Sequence, residues 1–146
     1  MPLPANKLPP LKAPFHFIGI GGSGMAPLAE LLLRQGNKVS GSDLNPNEST
    51  DLLSSLSAKI DLDHREANLA NAKTVIYSSA VKEDNVELKA ARAANLAVVH
   101  RSDVLEFLMR GKQNITVAGT HGKTTTTALV THMLAEMGVD PTAAVG

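Results

Sequence analysis

The chain has 146 residues, with 14 basic and 14 acidic side chains and no cysteine. That length suits about one domain with a real core, while the balanced charge excludes the basic stripe that nucleic-acid binding needs. Absence of cysteine excludes disulfides, thiolate nucleophiles and zinc–thiolate sites, and no apolar stretch approaches the ~20 residues of a membrane span.

The first ten residues, Met1 to Pro10, lack the continuous apolar core of a signal peptide, so the expected location is cytoplasmic, with no membrane insertion. Residues 1–14 are a Pro-rich tail, expected to sample extended conformations before order begins at Phe15. From there short apolar runs alternate with helical segments, the signature of βαβ units and a mostly parallel sheet. The first strand is Phe15 to Ile20, and its helix spans Gly24 to Gln35, with Leu28, Leu31 and Leu32 on one face and Gly36 as the stop. Lys38 to Ser42 forms the second strand, followed by a turn at Asn45 to Asn47 and a helix from Ser49 to Leu56. Strands follow at Ala58 to Ile60 and Thr74 to Tyr77, then a helix at Val86 to Asn95, a strand at Leu96 to Val99, and a helix at Ser102 to Met109 capped by Ser102. Gly111 to Asn114 is a polar break, after which Ile115 to Ala118 predicts a strand and a helix follows with Leu129, Val130, Met133, Leu134 and Met137 on one stripe. Thr142 to Val145 resembles the start of a further strand.

Two glycine-rich turns stand where a strand passes into a helix. Such a turn aims unpaired N–H groups and the positive end of a helix dipole at one point, which suits an anion. Gly19, Gly21 and Gly24 fit the dinucleotide-binding spacing, and Asp43 stands at the end of the second strand, where it can accept from ribose hydroxyls. The second turn, Gly119-Thr120-His121-Gly122-Lys123-Thr124, ends as a P-loop ends: N–H groups wrap a phosphate, Lys123 neutralises it, and the Thr124 hydroxyl reaches Mg²⁺. It departs from the full pattern, which needs glycine where Val117 stands. Ser78, Ser79 and Ala80, and the pair His100 and Arg101, follow strands at the edge where open α/β sheets bind ligands; each also reads as an ordinary turn or surface position. The remaining histidines, His16, His64 and His132, have no metal-ligand spacing and read as structural or surface residues.

Taken together, Phe17 to Met25, Gly41-Ser42-Asp43, Ser78 to Val81 and Gly119 to Thr126 resemble the start of the Mur ligases, over nearly all of Phe15 to Gly146. The resemblance implies a cytoplasmic step of peptidoglycan synthesis, in which ATP phosphorylates the carboxylate of UDP-N-acetylmuramate and the amine of L-alanine attacks the acyl phosphate. Carried over by matching position, Gly21, Gly22, Ser23, Gly24 and Met25 hold the UDP diphosphate, Ser42 and Asp43 lie near the ribose and uracil, and Ser78, Ser79, Ala80 and Val81 line the sugar nucleotide. Gly119, Thr120, His121, Gly122, Lys123, Thr124 and Thr125 hold ATP, with Lys123 on the terminal phosphates and Thr124 toward Mg²⁺.

The expected architecture is therefore α/β: a Rossmann-like parallel sheet with helices on both faces over residues 15–111, then the start of a P-loop domain over residues 112–146. Such ligases have three domains, so the chain is expected to be an amino-terminal portion that binds ligand without ligating. An NAD-binding oxidoreductase or sensor domain leaves the second turn unexplained, and a P-loop kinase or GTPase leaves the first unexplained. A UDP-sugar-binding module that kept half its nucleotide machinery is the non-catalytic alternative.

Overall fold

The computed structural model describes residues 10–144, and the chain divides into two compact units, one ending at Leu108 and the other starting at Met109. The first unit is built on five parallel strands, β1 (Phe15–Ile18), β2 (Val39–Ser42), β3 (Lys59–Asp61), β4 (Thr74–Tyr77) and β5 (Ala97–His100), in the order β3-β2-β1-β4-β5. Helices α1 (Ala26–Arg34), α2 (Glu48–Ser55) and α3 (Val86–Ala93) connect them, a 3₁₀ turn at Glu66–Leu69 leads into β4, and α4 (Arg101–Met109) follows β5. The parallel α/β fold expected from the alternation of apolar runs and helical segments is the one that forms. Its strand order reverses at β1, with β2 and β3 to one side and β4 and β5 to the other. A reversal of this kind opens a crevice beyond the carboxyl ends of the central strands, where the succeeding loops part.

Every residue of β1 is buried, as a parallel strand covered on both faces requires. The period-two alternation sends Phe15 and Phe17 into a cluster with Leu28, Leu32, Val39, Leu53, Ile76 and Val99. Ile18 joins Val75, Leu88 and Ala91 on the opposite face, under α3. His16 shares that face, and so do Ser40 and Ser42, which stand opposite His16 and Ile18 in the parallel register. The α3 side of the sheet thus carries a polar strip inside an apolar layer.

Local chemistry sets the helix starts. Asn47 caps α2: its side chain accepts from the Thr50 N–H while the Thr50 hydroxyl accepts from the Asn47 N–H. Asn85 caps α3 by accepting from the N–H groups of Glu87 and Leu88. The Ser102 cap expected for α4 does not form, because the helix already begins at Arg101. The Asp103 carboxylate accepts from the His100 N–H at 2.9 Å, and the Ser102 hydroxyl turns back to His100 Nδ1. The end of the presumed tail is also engaged. Thr74 Oγ1 accepts from the Lys12 N–H and donates to the Lys12 carbonyl, and the Lys73 N–H donates to the Pro14 carbonyl. Residues 1–9 of that tail lie outside the described residues.

In the second unit the one regular element among the described residues is α5 (Lys123–Glu136). The strand expected at Ile115 to Ala118 is irregular, and Ile115 is exposed. A strand exists only with a ladder partner for its N–H and C=O groups, and among the described residues none pairs with this segment. Thr142 to Ala144 are likewise irregular, and Val145 lies outside the described residues. The helix expected there forms, but Leu129 and Met133 of its expected apolar stripe are exposed, as is Met137, which stands at its C-cap.

Candidate functional site

The first glycine turn is held from below by β2. The N–H groups of Gly19 and Ile20 both donate to the Ser42 carbonyl, at 2.8 and 3.0 Å, and Gly19 takes φ +75, a left-handed conformation that side chains rarely adopt. The Gly21 N–H donates to Asp43 Oδ2 at 2.8 Å, while Asp43 Oδ1 accepts from the Asn45 N–H at 2.9 Å. Asn47 Nδ2 donates to the Gly21 carbonyl. A Cβ on Gly21 would stand 2.9 Å from Thr50 Cγ2 and 3.0 Å from Asp43 Oδ2, so glycine is what lets the clamp close. Gly22, Met25 and Ala26 spend their N–H groups within the turn, and among the described residues those of Ser23 and Gly24 meet no acceptor. Two donors therefore remain at the positive end of α1 for an anion. Arg101 adds positive charge beside them, because its Nη1 lies 2.7 Å from where a Cβ on Gly24 would be.

The Gly22 to Met25 part of the turn borders a cavity of about 600 Å³ in the crevice between β1 and β4. Of the residues expected to hold a sugar nucleotide, Gly22, Ser23, Gly24, Met25, Asp43, Ser78, Ala80 and Val81 line it, joined by Leu44, His64, Lys82, Asp84 and Asn85. Three expected residues stand elsewhere. The Gly21 amide is consumed by Asp43, and Ser79 Oγ lies 3.1 Å from His100 Nε2, away from the cavity wall. Ser42 is fully buried beneath the cavity, its hydroxyl donating to Glu87 Oε2 at 2.5 Å. Side-chain alternation decides this: Ser42 is the last residue of β2 and points under α3, whereas Asp43 leaves the sheet at its edge.

Glu87, in the first turn of α3, is the centre of a buried polar network. Its Oε2 accepts from Ser42 and lies 2.9 Å from His64 Nδ1; its Oε1 accepts from Asn68 Nδ2 at 2.7 Å and stands 3.5 Å from the Nε2 of the fully buried His16. Burial pushes this carboxyl up, but His16, Ser42 and Asn68 together outweigh it and hold it at about 2, so Glu87 is ionised at neutral pH. An ionised carboxylate has no proton to give, and His64 Nδ1 must therefore carry one. Reading the sequence alone missed both residues. His64 follows the end of β3, so the carboxyl-edge rule could have flagged it; Glu87 is visible only once α3 is laid over Ser42.

In the second unit Gly122 takes φ +76 and starts α5 without a side-chain cap. The Thr126 N–H donates to the Gly122 carbonyl, and among the described residues the N–H groups of Lys123, Thr124 and Thr125 at the helix start meet no acceptor. Lys123 Nζ donates to the Gly119 carbonyl at 2.7 Å, folding its ammonium across the turn. Gly119, Thr120, His121 and Thr124 are all exposed around it. Among the described residues no three His, Asp or Glu side chains come together to hold a metal.

The model of the "Mur ligase family, catalytic domain" matches residues 14–113. The UDP-N-acetylmuramate–L-alanine ligase of Bifidobacterium longum subsp. infantis is 51% identical over 131 residues, covering 90% of this chain and 26% of that protein. Its counterpart in Aquifex aeolicus is 48% identical, over 90% of this chain and 29% of that protein. The solved UDP-N-acetylmuramate–alanine ligase of Thermotoga maritima superposes with TM-score 0.81 at 37% identity, over 85% of this chain and 29% of that one. A murein peptide ligase from Psychrobacter arcticus gives TM-score 0.82 at 29% identity, over 86% and 27%. The chain thus spans under a third of the length of these relatives. A glycine turn clamped by the acid at the end of β2, a crevice at β1, a lysine-threonine turn and a family match over most of the chain lead to one conclusion: this chain belongs to the Mur ligase family.

Proposed function

We propose that this chain supplies the sugar-nucleotide unit and the ATP turn of a ligase that joins L-alanine to the carboxylate of UDP-N-acetylmuramate. The observation that carries the reading is the cavity of about 600 Å³ lined by Ser23 and Gly24, whose amides meet no acceptor among the described residues, at the α1 dipole and with Arg101 beside Gly24. Those groups suit a diphosphate, and the cavity beyond them, flanked by His64 on one side and by Ser78 to Val81 on the other, has room for a nucleoside and a sugar. An NAD reading fares worse, because it asks an acid at the end of β2 to take ribose hydroxyls, and both Asp43 oxygens already serve the turn.

For ATP, Gly119 to Thr125 form the cradle, with Lys123 exchanging its Gly119 carbonyl for the terminal phosphates. Thr124 fits Mg²⁺ as a single hydroxyl ligand, in keeping with an ion that takes most of its oxygens from phosphate and water. Bound there, the metal supplies charge neutralisation for phosphoryl transfer. In the reaction so served, the muramate carboxylate takes the γ-phosphoryl group and releases ADP; the alanine amine then attacks the acyl carbon and releases phosphate. The chain's own contribution is to hold and orient the two phosphorylated substrates, so it binds them and by itself forms no product.

Thermal-shift titration with UDP-N-acetylmuramate, NAD and MgATP in parallel tests this. A ligand present at ~100 times its dissociation constant adds ~2.7 kcal/mol of stability. Stabilisation by the UDP-sugar and none by NAD is expected, and stabilisation by NAD alone refutes the reading.

A further inference from the structure

Beneath the nucleotide cavity, the Glu87 network has a feature that the packing of the fold does not need. Burying a carboxylate carries a desolvation cost that its partners must offset, and an apolar residue at this place in α3 would extend the Ile18, Val75 and Leu88 layer without it. Of the side chains gathered on Glu87, His16 and Ser42 are fully buried and Asn68 is 8% exposed, whereas His64 is 23% exposed at its side chain and lines the cavity. Through His64 the buried charge reaches the ligand crevice.

The arrangement fixes the state of the imidazole. His64 Nδ1 lies 2.9 Å from Glu87 Oε2 and 2.9 Å from Ser42 Oγ, and the Ser42 hydroxyl proton is directed to Oε2. With two acceptors facing it, Nδ1 holds a proton, and the neutral ring is left with Nε2 as an acceptor. Nε2 is the one polar atom His64 has left for the cavity. Across the turn, Asp43, the acid that usually takes ribose hydroxyls in this fold, has both oxygens engaged by Gly21 and Asn45.

We propose that His64, held in its Nδ1–H form by Glu87, is the acceptor that reads a ribose hydroxyl of the bound nucleoside diphosphate, in place of Asp43. Glu87 is its positioning residue, and Ser42 completes the pair of acceptors that orients the ring. This rests on the sugar-nucleotide reading of the cavity. It extends that reading by giving the specificity for a ribosyl ligand to a residue two strands from the glycine turn.

The test is calorimetric titration of the 146-residue chain with UDP, 2′-deoxy-UDP and 3′-deoxy-UDP, for the wild type, His64→Ala, His64→Gln and Glu87→Gln. Loss of one neutral hydrogen bond predicts that His64→Ala binds UDP about tenfold more weakly. His64→Gln, whose carbonyl can accept, recovers part of the loss. With one of the two deoxy analogues the wild type is itself weakened about tenfold, and His64→Ala then adds no further loss. Long-range proton–nitrogen spectra of the wild type show the Nδ1–H tautomer at His64, and Glu87→Gln shifts that pattern, a readout that mere packing would not move. If the wild type binds UDP and His64→Ala binds it equally well, or if the deoxy analogues lose as much against His64→Ala as against the wild type, the proposal is wrong while the cavity assignment stands. If the wild type shows no affinity for UDP, both are wrong. A Glu87→Gln chain that fails to fold leaves the His64 variants and the wild-type tautomer to decide.

Discussion

Glu87 gives the most quantitative handle on this fold. Its carboxyl is held at about 2 in the folded chain, against an ordinary 4.5, because the donors around it outweigh the cost of burial. At ~1.4 kcal/mol per pH unit, that difference amounts to about 3 kcal/mol in favour of the folded, ionised state. The sign follows from the direction. A depressed carboxyl contributes its full stability above the unfolded value, near pH 4.5, and loses it progressively as the pH falls toward 2. The titratable groups facing it are His16 from β1, at 3.5 Å, and His64 after β3, at 2.9 Å. Replacing Glu87 with glutamine keeps the shape and removes the titration. Urea unfolding followed by circular dichroism at stepped pH from 7 to 2.5 reads both effects. Glu87→Gln is expected to be about 3 kcal/mol less stable at pH 7, with the gap to wild type narrowing below pH 4.5. Wild-type and variant curves that run parallel from pH 5 to 2.5 would refute the assignment of Glu87 as the buried anion.

Four further substitutions separate packing from binding. Gly41→Ala brings a Cβ to 2.6 Å from Ile20 Cβ and 2.8 Å from the Phe17 carbonyl, so denaturant unfolding should show a loss of at least ~1–3 kcal/mol, and unchanged stability would mean β2 and the turn can part. Gly24→Ala meets the mobile end of Arg101 at 2.7 Å, so the melting temperature should barely move while UDP-N-acetylmuramate binding weakens; a large loss of stability would contradict this. Asp43→Ala frees the Gly21 and Asn45 amides, so it should cost ~1.5–3 kcal/mol in folding stability and weaken UDP-sugar binding through the loosened turn, whereas Lys123→Ala should cost ~1.5–3 kcal/mol in binding of ATP alone. Equal loss of both ligands in either variant, measured by titration, would argue against two separate sites.

The sequence by itself determined the elements, the two turns and the family they resemble. Strand period, helix stripes and glycine spacing are local properties, written in residues a few positions apart, and Phe15 to Ile18, Thr74 to Tyr77 and Lys123 to Glu136 form where those patterns place them. It misplaced what depends on partners from afar. Ile115 to Ala118 has strand composition but no described neighbour to pair with, and the α4 start was settled by the Asp103 carboxylate reaching the His100 amide. The tertiary structure alone decided which of these residues hold the turn and which line the cavity. Asp43 became a clamp because the turn brings the Gly21 amide to 2.8 Å from it, and Ser42 became a buried donor because β2 alternation turns it under α3. Glu87, His64 and Asn68 meet although 19 and 23 positions separate Glu87 from the other two. Only packing α3 over β1 and β2 puts one charge within reach of all of them, and no pattern along the chain encodes that distance.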